Sequence, residues 1–120
     1  DTGEFDDLLN STFIMTNKLR AGGASIELGR IDNKKFIGGK ILLAVEEPST
    51  SNVHIIEYNF INVNEEKTLY TEYSVMYTDF ALANISIIND SASDITIIAA
   101  NPTSTVGKKI SSTITLIRRA

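Results

Sequence analysis

His54 is the single histidine of the chain, and it sits in a run of β-branched and aromatic residues, 53–63. An imidazole works as a general base only when a reacting group is held beside it. No Gly-x-Ser-x-Gly elbow accompanies it, and zinc would need further nitrogen or sulfur ligands from a chain that has no cysteine. The carboxylate pairs Asp6-Asp7, Glu46-Glu47 and Glu65-Glu66 are sequence neighbours. In extended backbone such neighbours point to opposite sides, so none of these pairs flanks one bond as a glycosidase requires. Segment 89–94, Asn-Asp-Ser-Ala-Ser-Asp, is rich in oxygen donors but lacks the central Gly and terminal Glu of an EF-hand loop. Gly22-Gly23 and Gly38-Gly39 are not followed by the Gly-Lys-Ser/Thr of a phosphate loop. From these residues we expect no catalytic group, no cofactor, no metal and no enzymatic activity.

Recognition by contact is the chemistry that is left. Tyr73 and Tyr77 share one face of a continuing strand and, with Asp79, make a candidate stacking platform for a glycan. The reading we favour puts both rings in the core with their hydroxyls at its rim. Three Asn-x-Ser/Thr sequons, at Asn10, Asn84 and Asn89, matter only in a glycosylating cell, and Asn84 would also need an exposed strand face.

The elements that must position these residues are strands. Of the 120 residues, 34 are Ile, Val or Thr, whose branched Cβ suits a pleated, half-buried surface better than a helix. Runs of such residues alternate with turn signals about every ten residues, the rhythm of an antiparallel sandwich or barrel. We expect eight strands, over 12–20, 24–31, 35–45, 53–63, 67–76, 80–88, 95–100 and 110–118. The breaks between them carry Gly, Pro, Asn, Asp or Ser, which supply positive φ, a fixed φ or a local hydrogen bond.

Alternation within the strands sets the buried faces. His54, Ile56, Tyr58 and Phe60 fall on one side of their strand and predict its core face. Ile110, Ser112, Ile114 and Leu116 oppose Ser111, Thr113, Thr115 and Ile117 in a clean two-sided pattern that favours an antiparallel sheet. Ile85, Ile87 and Ile88, and then Ile95, Ile97 and Ile98, put apolar residues on both faces, as in a central strand or one covered by a neighbouring subunit. Gly38-Gly39 inside a strand predicts a bulge, a corner or a close backbone approach.

The fold class expected is therefore all-β: an antiparallel β-sandwich, jelly-roll-like, over 12–120, preceded by an arm at 1–11. A formal net charge of −4 argues against nucleic-acid binding, which needs excess Lys and Arg. No apolar run approaches the length of a membrane span, so membrane insertion is not expected. A start at Asp1 rather than Met fits a removed leader, from which we expect an extracellular or surface location.

The arm carries Asp1, Glu4, Asp6 and Asp7 with no basic residue, and interleaves Phe5, Leu8 and Leu9. The far end of the chain is basic, with Lys108, Lys109, Arg118 and Arg119. This contrast predicts head-to-tail docking: arm residues Phe5, Asp6, Asp7, Leu8 and Leu9 on one copy, and the four basic residues as acceptors on the next. An arm followed by about eight strands is similar in outline to jelly-roll subunits of capsids and bacterial surface appendages. The resemblance is architectural and implies self-association of a structural subunit. The alternative is a monomeric ligand-binding or adhesion module, with glycan as its partner.

Overall fold

The computed structural model describes residues 12–64, 67–90 and 92–119. Within them the chain forms eight strands, in order β1 (Thr12–Ala21), β2 (Ile26–Asp32), β3 (Phe36–Glu47), β4 (Asn52–Asn64), β5 (Lys67–Tyr77), β6 (Ala83–Asp90), β7 (Ile95–Pro102) and β8 (Lys108–Arg118). All pairings are antiparallel. One sheet has five strands in the order β1-β8-β3-β4-β5, and the other has three in the order β2-β7-β6. The expected strand over 80–88 starts later, at Ala83, because residues 78–82 turn out of the ladder and the Leu82 amide is drawn to His54 instead.

Period-two burial explains why these segments pair as they do. Along β3, Ile41, Leu43 and Val45 are fully buried while Leu42 between them faces out. A shift of one residue would exchange these sets, so the hydrophobic pattern holds the register of β3 against both β4 and β8. One core cluster collects Ile41, Leu43, Ile56, Phe60, Ile114 and Leu116 from the larger sheet and Leu28, Ile31, Ile85, Ile87 and Ile98 from the smaller. Each such side chain contributes roughly 1.5–3 kcal/mol when taken fully out of water.

Gly38 and Gly39 mark the closest backbone approaches. A Cβ at Gly39 would collide with the Thr115 carbonyl oxygen on β8, and one at Gly38 with that of Phe60 on β4. The β3–β8 ladder also shifts register between Phe36 and Gly38. The glycine pair thus serves a bulge and a close approach together.

Two polar clusters pin the structure at opposite ends. At one, Thr68 on β5 donates to Asn62 Oδ1 at 2.9 Å and accepts from Asn89 Nδ2 on β6 at 2.9 Å, tying the sheets together. Thr96 on β7 donates to Asn33 Oδ1 at 2.7 Å, and Arg119 donates to the Asn33 and Asn62 carbonyls at 2.8 and 2.6 Å. At the other end Lys108 Nζ lies 3.3 Å from Glu47 Oε2, with the two side chains 0% and 2% exposed. The ammonium also donates to Ser104 Oγ and the Val106 carbonyl, both at 2.8 Å, and to the Ser104 carbonyl at 3.2 Å. A buried charge persists only when paired and hydrogen-bonded, and this one is both.

Candidate assembly surface

Strand β5 is one edge of the five-stranded sheet, with β1 at the other, and three opposing strands do not cover five. Its residues are exposed on both faces, apart from half-buried Thr68. Leu69, Tyr70, Tyr73, Val75, Met76 and Tyr77 all stand in the open, with Tyr73 69% and Met76 68% exposed. Beyond its backbone pairing with β4, the strand is tied to the rest of the fold by Thr68, bonded to Asn89, and by Tyr77 against His54. An edge with unpaired backbone groups and apolar flanks is a template for another strand. A shift between Glu57 and Tyr58 leaves Tyr73 as an extra residue on β5, and such a bulge limits how far a partner strand continues.

The outer face of the same sheet carries further apolar side chains. Ladder registers align it in cross-strand rungs: Ile117, Gly38, Ile61 and Leu69 at one end, and Ser111, Ala44, Ile55 and Met76 towards the other. Between them lies a polar belt of Thr115, Lys40, Asn59 and Thr71, where Lys40 sits 4.0 Å from Glu57. Ile61, Leu69, Ile55, Leu42 and Met76 are all exposed on this face. Clustered exposed apolar side chains of this kind mark an interaction site more often than scattered residues do.

The last rung is charged. Arg20 on β1 is the direct cross-strand partner of Lys109 on β8, whose other neighbour on β3 is Glu46. Lys18 projects from the same face two residues earlier, since successive side chains alternate. Lys18, Arg20 and Lys109 are exposed, and none has an ion-pair partner among the described residues. Two shallow depressions meet here, one bordered by Pro48, Ser49 and Gly107, the other by Ile110 and Ser111; they share Arg20 and Lys109.

The residues expected at the assembly site separate in space. Phe5, Asp6, Asp7, Leu8 and Leu9 lie outside the described residues. The four basic acceptors do not form one patch, because Lys108 begins β8 and Arg118 ends it, roughly 33 Å apart at ~3.3 Å per residue. Lys108, expected at the surface, is instead buried against Glu47, because plain alternation along β8 puts it on the core face with Ile110, Ser112 and Ile114. Arg119 is spent on the Asn33 and Asn62 carbonyls. Arg118 lies over the Phe36 ring at 5.7 Å, and Lys109 alone joins the cationic rung.

Chain 1–120 matches no family model, and no curated protein matches it. Its own geometry is therefore what bears on the remaining candidates. His54 is buried; its Nδ1 accepts the Leu82 amide at 3.0 Å, and its ring meets Tyr77 edge-on at 5.3 Å. Burial pushes the imidazole below its ordinary pKa, and Glu72 offsets part of that. The expectation that Tyr73 and Tyr77 fill the core is overturned, because the edge strand that bears them is left uncovered. Asn84 is exposed and its Oδ1 accepts from Asn101 Nδ2 at 3.2 Å, whereas Asn89 is half-buried and bonded to Thr68. Among the described residues, no three His, Cys, Asp or Glu side chains are grouped to hold a metal, and no helix is long and apolar enough to cross a membrane.

Sequence reasoning missed the Lys18, Arg20 and Lys109 cluster. The spacing of Lys18 and Arg20 already puts them on one face of a strand, but only the β1–β8 register brings Lys109 opposite Arg20. The exposure of β5 was equally hidden, because its apolar content reads as core.

Proposed function

We propose that this protein is a non-enzymatic structural subunit that self-assembles through its β-sheet surfaces and residues 1–11 into an extracellular filament or virion-type assembly. The observation that carries this reading is β5, an eleven-residue edge strand with six large apolar side chains left in water on both faces of the sheet. The outer face adds Leu42, Ile55 and Ile61 to that area. Core-like interfaces between copies take such surfaces out of water, and no bond needs to be broken for them to do their work.

The fold supports the same reading when taken as a jelly-roll-like sandwich. β1 nests with β8, and β2 with β7, as in a rolled hairpin. β3, β4 and β5 run as a meander, and β6 returns to β7, which departs from a complete nest. The test is sedimentation velocity over a concentration series with wild type and with Leu69→Lys/Met76→Lys, both exposed positions. Wild type is expected to form oligomers with rising concentration and the variant to remain monomeric. A wild type that stays monomeric at all concentrations removes the reading.

A second reading is favoured by one observation, the exposure of Tyr70, Tyr73 and Tyr77 along a single strand. Such rings serve as flat platforms for sugars in a monomeric adhesion module. Binding on a glycan array that is lost in Tyr73→Ala/Tyr77→Ala, together with a strictly monomeric chain, would decide for it.

A further inference from the structure

We infer that Lys18, Arg20 and Lys109 form the acceptor for the acidic segment 1–11 of a second copy of this chain, which joins subunits head to tail. The inference rests on the assembly reading above and names the contact that gives it direction.

Charge complementarity is the first argument. Segment 1–11 carries four carboxylates and no basic side chain, and the rung carries Arg20 and Lys109, with Lys18 one rung away, against the single carboxylate of Glu46. Like charges directly across an antiparallel pair are destabilising, yet Arg20 stands opposite Lys109 with no ion-pair partner for either among the described residues. An anionic partner converts that cost into attraction and steers the encounter. The depressions beside the cations, bordered by Pro48, Gly107 and Ile110, provide places for the interleaved Phe5, Leu8 and Leu9.

Reach is the second argument, and it favours another copy for Asp6 and Asp7. Segment 1–11 joins the sheet at Thr12, whereas Arg20 lies at the far end of β1. Eight residues of strand separate these points by roughly 26 Å. Asp7 and Asp6 are tethered five and six residues before Thr12, at most about 18 and 22 Å away even when fully extended. On backbone length this pair falls short of Arg20 and Lys109 of its own chain, whereas Glu4 and Asp1, eight and eleven residues before Thr12, have about 29 and 40 Å of chain. The rung of a second copy stacked along the strand axis is free of that limit. Such a contact is heterologous, with different surfaces on the two partners, and it propagates without closing on itself.

The test uses two full-length variants, Asp6→Lys/Asp7→Lys with the segment reversed and Arg20→Glu/Lys109→Glu with the rung reversed. Arg20 and Lys109 are exposed, and circular dichroism checks that each variant folds. Sedimentation velocity is run on wild type, each variant and their equimolar mixture. Wild type associates; each variant alone loses association by at least about tenfold, as expected for removing close charge pairs. The mixture recovers it, because each reversed partner then faces its opposite sign. A rung-reversed variant that associates like wild type overturns this inference and leaves the β5 reading standing. Loss in both variants without recovery on mixing also overturns it, because the occupant of the rung is then a different anion. A wild type that never associates overturns both readings.

Discussion

At the scale of single residues, the groups that look most reactive in the sequence turn out to hold structure. His54 uses Nδ1 as the acceptor for an amide that lies outside the β ladder. Its folded pKa is depressed by burial, so the unfolded chain takes up a proton at mildly acid pH that the native state refuses. The sign follows: the contribution is intact above about pH 6.5 and is lost as pH falls below that value, by at most about 1.4 kcal/mol per pH unit. His54 is the only histidine, and carboxylates titrate nearer pH 4, so the window between pH 5 and 7 reports on this residue. Urea denaturation across that window should show falling stability in wild type and a flat profile in His54→Phe. The variant should be about 1–3 kcal/mol less stable at pH 7.5, since the Leu82 amide loses its acceptor. Lys108 makes a parallel case. Lys108→Met strands the Glu47 carboxylate in the core and should cost about 3–5 kcal/mol in the same assay, and adding Glu47→Gln should recover part of it. Lys109→Ala, one residue away and exposed, should change monomer stability by less than about 0.5 kcal/mol.

At the scale of elements, the unequal sheets decide what the molecule offers. Five strands faced by three leave β5 beyond the cover of the smaller sheet, joined to it chiefly where Thr68 meets Asn89. The strand keeps its pairing with β4 on one side and presents unpaired backbone groups on the other. Native-state hydrogen exchange should therefore show fast exchange at every second amide of β5 in dilute protein, with β3 and β8 the most protected. Raising the concentration should slow the fast set if the edge is an interface, and an unchanged pattern would remove β5 from the assembly. The bulge at Tyr73 predicts that this protection stops near it rather than running the full strand.

At the scale of the whole molecule, charge and apolar surface lie along different directions. The cationic rung caps one end of the sheet, and the segment 1–11 enters at the other, so attraction runs along the strands. The apolar area lies across them, on β5 and the outer face. Under the proposed assembly, a filament with lateral association is the expected form. Removing residues 1–11 should leave the circular dichroism and thermal unfolding of the domain unchanged and stop longitudinal growth. Light scattering of the full chain should fall as salt rises, because exposed charge contacts are screened within about 8 Å at physiological ionic strength. Scattering that is insensitive to salt would show that charge is not what joins the ends.

Alternation and turn chemistry by themselves determined that this chain forms eight antiparallel strands and which face of most of them is buried, because side-chain direction in a strand is a local property. His54, Ile56 and Phe60 share the core face for that reason, and the pattern of residues 110–117 is legible without any partner. Tertiary structure alone decided the rest. Whether Tyr73 and Tyr77 meet a core depends on how many strands the opposing sheet has, and the buried partner of Lys108 depends on β3 bringing Glu47 beside it. The same holds for Lys109, which becomes part of a cationic surface only because antiparallel pairing sets it beside Arg20, almost ninety positions away in the chain. Registers and sheet sizes are settled by long-range burial, and no local run of residues contains that information.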